Sequence, residues 1–174
     1  MIPNSAALVA FYRAEKPDDR GRYLHDILAK DDAWLEYTHD YIQWLFPIRT
    51  VGVNLNAPPA DDATVEAFHA DAALRASLRW SFARMLSFYG LRWKGDDEIV
   101  RAEDFERKRQ WLSAGNHNYL RLTRIMTSLR LLGDADAASA LYRCLLEIDG
   151  DERAAGRESI SSTTLAYWED AIRR

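Results

Sequence analysis

Between Trp34 and Pro47 the chain reads Trp-Leu-Glu-Tyr-Thr-His-Asp-Tyr-Ile-Gln-Trp-Leu-Phe-Pro, and this stretch narrows the possible folds more than any other. Placed on a helix, Trp34, Thr38, Tyr41, Ile42 and Leu45 share one face at steps of three and four. Glu36, His39, Asp40 and Gln43 then share the opposite face. Asp31 or Asp32 supplies an N-cap, and Pro47 stops the helix. A merely solvated face more often carries Lys, Glu and Arg. This one is a row of hydrogen-bonding groups behind an aromatic stripe, so the stretch needs other helices to bury the stripe.

The rest of the chain supplies them. Ser5 caps a short helix through Leu8, Val9, Phe11 and Tyr12, and Lys16 to Gly21 reads as a turn. A helical piece covers Tyr23 to Ala29. Residues 47–62 hold Pro47, Pro58 and Pro59 with Gly52, Asn54 and Asn56 between them, which makes this the longest irregular connection. Asp61 or Asp62 opens a helix to about His69. Asp71 caps a longer one striped by Leu74, Leu78, Phe82, Met85, Leu86 and Tyr89, with Gly90 as its stop. Trp80 and Phe88 lie off that stripe, so this helix is expected to pack on two sides. Gly95 to Glu98 reads as a polar loop, followed by a basic helix from Phe105 to Leu112. Asn116 caps a helix to Leu132 that is apolar nearly all round, save the row His117, Arg121, Arg124 and Ser128. Asp134 or Asp136 starts a helix through Leu141, Leu145 and Leu146. After a polar loop at Gly150 to Gly156, a last helix carries Leu165, Trp168 and Ile172. Thr50-Val51-Gly52-Val53 is the one weak period-two run. The expected fold is all-α, seven or eight helices in a single domain spanning residues 1–174.

Charge and cysteine content exclude several functions. A net charge of -4 and a pI near 5.6 argue against general nucleic-acid binding. Cys144 is the one cysteine, so no internal disulfide forms. No window approaches a membrane span, and no basic leader precedes a long apolar run. The expectation is a soluble, cytoplasmic protein.

Three blocks resemble the conserved domain of the opioid growth factor receptor family. They are Leu35 to Pro47 with the Gly-Val-Asn at 52–54, Met85-Leu86-Ser87-Phe88-Tyr89-Gly90-Leu91-Arg92, and His117 to Leu129 with Trp111-Leu112 upstream. Their order and spacing fit over roughly residues 11–170. The resemblance implies a shared fold and, with it, receptor activity of the opioid growth factor type. The family's vertebrate namesake is described as a receptor for methionine-enkephalin that restrains cell growth. The match is to the conserved domain alone, and the resemblance brings no catalytic residues with it.

The two polar rows form the candidate ligand site: Glu36, His39, Asp40 and Gln43 on one helix, and His117, Asn118, Arg121 and Arg124 on the other, with Tyr37, Tyr41 and Trp44 as walls. If the rows face each other, His39 and Gln43 hydrogen-bond a ligand and the arginines neutralise its anionic group. The N-terminus at Asn116 to Tyr119 adds free N–H groups. The competing reading is a structural network in which the arginines pair with Glu36 or Asp40. Glu36-x-x-His39 and Glu66-x-x-His69 repeat the pair used by di-iron bundles, but the intervening Pro-rich segment supplies no further Glu helix. No catalytic residue, metal site or cofactor is assigned. His39 and His117 lack a nucleophile in a recognisable motif, and Cys144 reads as an inert core thiol. His25 and His69 read as surface residues. Trp44, Trp80, Trp93 and Trp111 read as core, with a groove for an aromatic-bearing peptide as the alternative. The expected activity is non-catalytic ligand or peptide binding of a signalling kind, the partner being a peptide, an anionic small molecule or a protein. The alternative is an enzyme or metal-binding protein using the Glu36/His39 and His117/Arg121 faces.

Overall fold

The computed structural model describes residues 6–173. Among them are ten α-helices, one 3-10 turn and one β-hairpin, so the chain is mostly helical but not purely so. They fall into two compact units, one of the residues up to Arg84 plus Leu131–Gly133, the other of Met85–Arg130 plus the residues from Asp134 onward.

The first unit holds α1 (Ala6–Tyr12), α2 (Leu24–Leu28), α3 (Asp32–Tyr37), α4 (Ile42–Leu45), α5 (Asp62–Ala70) and most of α6 (Ala72–Phe88). The expected Ser5 cap lies outside the described residues. Three aspartates start helices as their spacing predicts. Asp31 accepts from the Trp34 N–H and Asp61 from that of Thr64, each at 2.8 Å. Asp71 accepts from the Ala73 N–H at 2.8 Å. The core is aromatic: Phe11 lies 5.3 Å from Trp44 and Tyr12 5.0 Å from Phe68, ring centre to ring centre. Tyr12 donates its O–H to the Leu45 carbonyl, and burial raises its phenol well above the usual range.

The central stretch is not one helix. Its chain breaks at Thr38, whose backbone is extended (φ -98°, ψ 131°), and restarts at Ile42. One local and one longer-range hydrogen bond hold the break open. Tyr41 donates its O–H to the Leu35 carbonyl at 2.9 Å, and the Asp40 carbonyl accepts from Asn54 at 2.9 Å. The break turns α4 away from the line of α3, so Gln43 and Trp44 are buried with Ile42 and Leu45.

The connection through residues 47–62 runs inside out. From Val51 to Leu55 exposure alternates, with Val51, Val53 and Leu55 outward at 55%, 88% and 72%. Gly52 and Asn54 face inward. Asn54 pins the segment through its bonds to Asp40 and to the Asp19 carboxylate. The weak period-two run at Thr50 to Val53 is therefore extended-like in its alternation but pairs with no strand among the described residues.

The second unit carries the hairpin β1 (Leu91–Lys94) and β2 (Glu98–Arg101), then α7 (Phe105–Lys108), a 3-10 turn (Arg109–Trp111), α8 (Asn118–Leu131), α9 (Ala135–Ala154) and α10 (Ser162–Arg173). The hairpin corrects the all-α expectation. Leu91, Arg92, Trp93 and Lys94 alternate apolar and polar, and Lys94 meets Glu98 across the register at 2.9 Å. Four residues are too short a run to stand out against neighbouring helices. Gly90 is required before it: its φ is +72°, and a Cβ there would come within 2.9 Å of the Phe105 backbone. A second correction concerns α9, which passes through Gly150 without a loop. The polar residues there are internal: Asp149 and Glu152 are buried and paired with arginines. The helix ends instead at Ala154, with Gly156 just beyond its cap at φ +76°. β2 and α10 both pack on α9. A run of edge-to-face rings links Tyr89, Trp111, Tyr119 and Trp168 through the core, at 5.4, 6.5 and 5.8 Å between successive centroids.

Candidate functional site

The first unit contains an open cleft of about 440 Å³, lined mainly by apolar atoms. That volume is in the range of small-molecule and peptide side-chain pockets. Its walls come from the end of α1 and the turn after it, from Leu24, His25 and Leu28 on α2, and from Ala73, Leu74, Ser77 and Trp80 on α6. The α6 residues recur at helical spacing and so form one strip of that helix. Leu24 and Leu74 are buried, while the Trp80 indole is 68% exposed. This corrects the expectation that α6 buries both of its off-stripe aromatics. Phe88 is buried, whereas Trp80 stands at the edge of the cleft.

The rim is built by backbone geometry. After α1, the Ala14 N–H donates to the Phe11 carbonyl at 3.0 Å and the Glu15 N–H to Ala10 at 2.9 Å. This is the paired bonding of a Schellman stop, and it holds Ala14 at φ 57°, in the left-handed region. Ala14 is the described non-glycine residue in that region, where a Cβ carries a steric cost of about 1–2 kcal/mol. Arg13, Ala14 and Glu15 all line the cleft. Arg13 is 3.1 Å from Asp71 and holds that carboxyl below its usual pKa, with help from the Ala73 N–H. His25 lies 3.5 Å from Asp26 and stacks on Tyr23.

Elsewhere in the same unit, Asp40 of the first polar row joins a salt-bridge network around the chain break. Asp40 is 2.9 Å from Arg22 and 3.2 Å from Arg20. Arg22 also meets the buried Asp18 at 2.7 Å, and its guanidinium lies over the Trp34 ring at 5.4 Å. Desolvation pulls the Arg22 pKa down, but the hydrogen bonds to Asp18 and Asp40 outweigh it and leave the pKa raised. The Trp44 indole N–H donates to Asp19 at 2.7 Å, so Trp44 is a core residue with one polar tie. Gln43 is 5% exposed and its Oε1 has no hydrogen-bond partner among the described residues. Tyr37 and His39 are exposed, and Glu36 is half-buried. Tyr41 is fully buried.

The second row belongs to the second unit. Asn118 is wholly buried. It accepts from Arg121 at 3.2 Å and from Tyr89 at 3.4 Å. Asn116 caps α8 as expected, accepting from the Asn118 N–H at 3.0 Å. Arg121 is buried, His117 is exposed, and desolvation lowers the half-buried Arg124 to a pKa of about 10. On α9, Glu152 receives Arg109, Arg157 at 2.6 Å and the Ser159 hydroxyl at 2.9 Å. The Arg157 bonds, then those from Ser159 and Arg109, hold its carboxyl down at about 2 despite burial.

The chemistry of the remaining candidates is plain. Glu36 belongs to α3 and His39 lies beyond its end, so the first Glu-x-x-His pair does not sit on one helix. Glu66 and His69 share α5, where the His69 Nε2 is 3.0 Å from the Leu131 carbonyl oxygen. Among the described residues no three His, Cys, Asp or Glu side chains gather as metal ligands. Burial pushes the Cys144 thiol up to about 12, which leaves it protonated and unreactive at neutral pH. Among the described residues no helix is long and apolar enough to cross a membrane. Of the four tryptophans weighed for a groove, Trp80 lines the cleft, Trp44 and Trp111 are buried, and Trp93 is half-buried on β1.

Residues 4–174 match the family described as the opioid growth factor receptor (OGFr) conserved region. The chain is 36% identical to the human opioid growth factor receptor over 173 residues, 95% of the chain and 25% of that protein. It is 40% identical to the rat opioid growth factor receptor over 147 residues, 80% of the chain and 25% of that protein. Mouse opioid growth factor receptor-like protein 1 is 33% identical over 150 residues, 82% of the chain and 32% of that protein. The chain thus spans about a quarter to a third of these relatives. No solved structure matches it.

Proposed function

The chain belongs to the opioid growth factor receptor family, and from that premise we propose that it is a non-catalytic peptide-binding module of a signalling kind. The observation that carries this reading is the open apolar cleft with the exposed Trp80 indole at its edge. A large exposed aromatic beside a buried apolar floor gives a peptide side chain area to cover at little entropic cost to the protein. The names of the relatives favour a peptide ligand, and enkephalin-type binding is the form of the activity that the family resemblance implies.

In this reading the Asp40–Arg22–Asp18 network and the Asn118–Arg121 bond hold the framework that shapes each unit. Tyr37 and His39 are the members of the first row placed to meet a partner directly, with Glu36 beside them; His117 is their counterpart in the second.

The test is a titration of the purified protein with methionine-enkephalin, read by tryptophan fluorescence and thermal shift. A ligand at a hundred times its Kd adds about 2.7 kcal/mol to stability. The expected result is a saturable shift that Trp80→Ala abolishes while leaving the unliganded melting temperature within a few degrees. An unchanged titration in Trp80→Ala moves binding away from the cleft, and no shift with this or other aromatic peptides overturns the reading.

A further inference from the structure

We infer that the cleft recognises an arginine side chain flanked by apolar residues on a peptide partner, an inference that rests on the cleft being the binding site. The polar neighbours of Glu15 in the cleft already have partners. Arg13 is paired with Asp71 at 3.1 Å, and His25 is 3.5 Å from Asp26. Glu15 lines the same cleft and is exposed, and its carboxylate has no ion pair or side-chain hydrogen bond among the described residues. Its backbone is fixed by the 2.9 Å bond to Ala10, so the carboxylate leaves a rigid turn.

The second element is the Trp80 ring, open to solvent with no cation over it among the described residues. The protein itself shows what such a pair of groups holds. At Trp34, the Arg22 guanidinium lies 5.4 Å from the ring centre while bonding to the Asp18 carboxylate at 2.7 Å, and Lys30 sits on the same indole at 5.6 Å. The cleft offers a carboxylate and an indole face as well, while its own guanidinium, Arg13, is engaged by Asp71. A planar guanidinium suits both, because it forks onto a carboxylate and stacks on an aromatic face. The apolar floor of Leu24, Leu28 and Leu74 then takes the flanking side chains.

The probe is an N-acetylated, C-amidated Leu-Arg-Leu-Phe peptide, compared with the same peptide carrying citrulline, which keeps the shape and loses the charge. Blocking both ends removes the terminal ammonium as a source of cation. Binding is followed by methyl NMR of Leu24, Leu28 and Leu74. The arginine peptide is expected to bind roughly tenfold tighter than the citrulline peptide. Glu15→Gln and Trp80→Leu should each shrink that ratio, with citrulline-peptide affinity unchanged in Glu15→Gln. Equal binding of the two peptides to the parent protein overturns the arginine inference and leaves the cleft standing. If neither peptide moves the cleft methyls while methionine-enkephalin does, the arginine inference falls and the cleft reading stands; if none of the three does, both fall.

Discussion

The two units build different structures around a buried carboxylate. In the first, the buried Asp18 and the part-exposed Asp19, Asp40, Arg20, Arg22 and Asn54 tie irregular backbone together, while an apolar cleft stays open. In the second, Glu152 is buried under two arginines and a serine beside a closed run of edge-to-face rings. The difference teaches where tolerance lies. The part-exposed outer ions of a loop network are soft and adjustable, whereas a buried carboxylate whose partners converge on it, Asp18 in the first unit and Glu152 in the second, fixes one arrangement.

The comparison breaks hardest at Glu152. Replacing it with Ala removes the shared anion of the part-exposed Arg109 and Arg157 and should cost about 2 kcal/mol, read from the urea midpoint. The same group sets an acid limit. Its folded pKa of about 2 lies below the unfolded value of 4.5, so its contribution is complete above pH 4.5 and lost as the pH falls toward 2. The stability difference between the parent and Glu152→Gln should therefore narrow across that window. A difference that stays flat from pH 5 to pH 2 would show that the carboxylate charge is not what holds α9.

A smaller effect sharpens the other side. Asn54→Ala removes the bonds to Asp19 and to the Asp40 carbonyl and should cost about 1–2 kcal/mol. Amide exchange should then speed up around residues 40–56 and stay unchanged in the second unit. The smallest is favourable: Ala14→Gly relieves the left-handed strain at φ 57° and should raise stability by up to about 1 kcal/mol. A destabilised Ala14→Gly would mean that the methyl is packed into the cleft wall.

The helix starts and the apolar stripes were legible because they depend on near neighbours. Asp31, Asp61 and Asp71 cap helices two or three residues ahead, and the rows on α6 and α8 follow local periodicity. The features that escaped depend on distant partners. The break at Thr38 is held by Asn54, which lies outside the run from Trp34 to Pro47, and by the Tyr41 hydroxyl, which bonds back to Leu35 only once the helix has broken. The polar stretch through Gly150 looks like a loop until Arg109, Arg153 and Arg157 reach its acids. Trp80 gave a faint signal by lying off the stripe, yet its exposure depends on α1 and α2 leaving the cleft open. The expected walls Tyr41 and Trp44 became core for the same reason that Gln43 did: the chain turns between α3 and α4.

The inside-out segment from Val51 to Leu55 also bears on how the protein behaves in crowded solution. Three outward apolar side chains on backbone that pairs with no strand among the described residues are a template onto which a foreign strand can add. The flanks limit that hazard. Arg49 stands before the segment, while Pro58 and Pro59, which donate no N–H, close it a few residues on. Asn54 keeps its middle turned toward the body of the first unit. Gatekeeping of this kind stops any added strand within a few residues, so a sticky stretch need not seed an extended ladder.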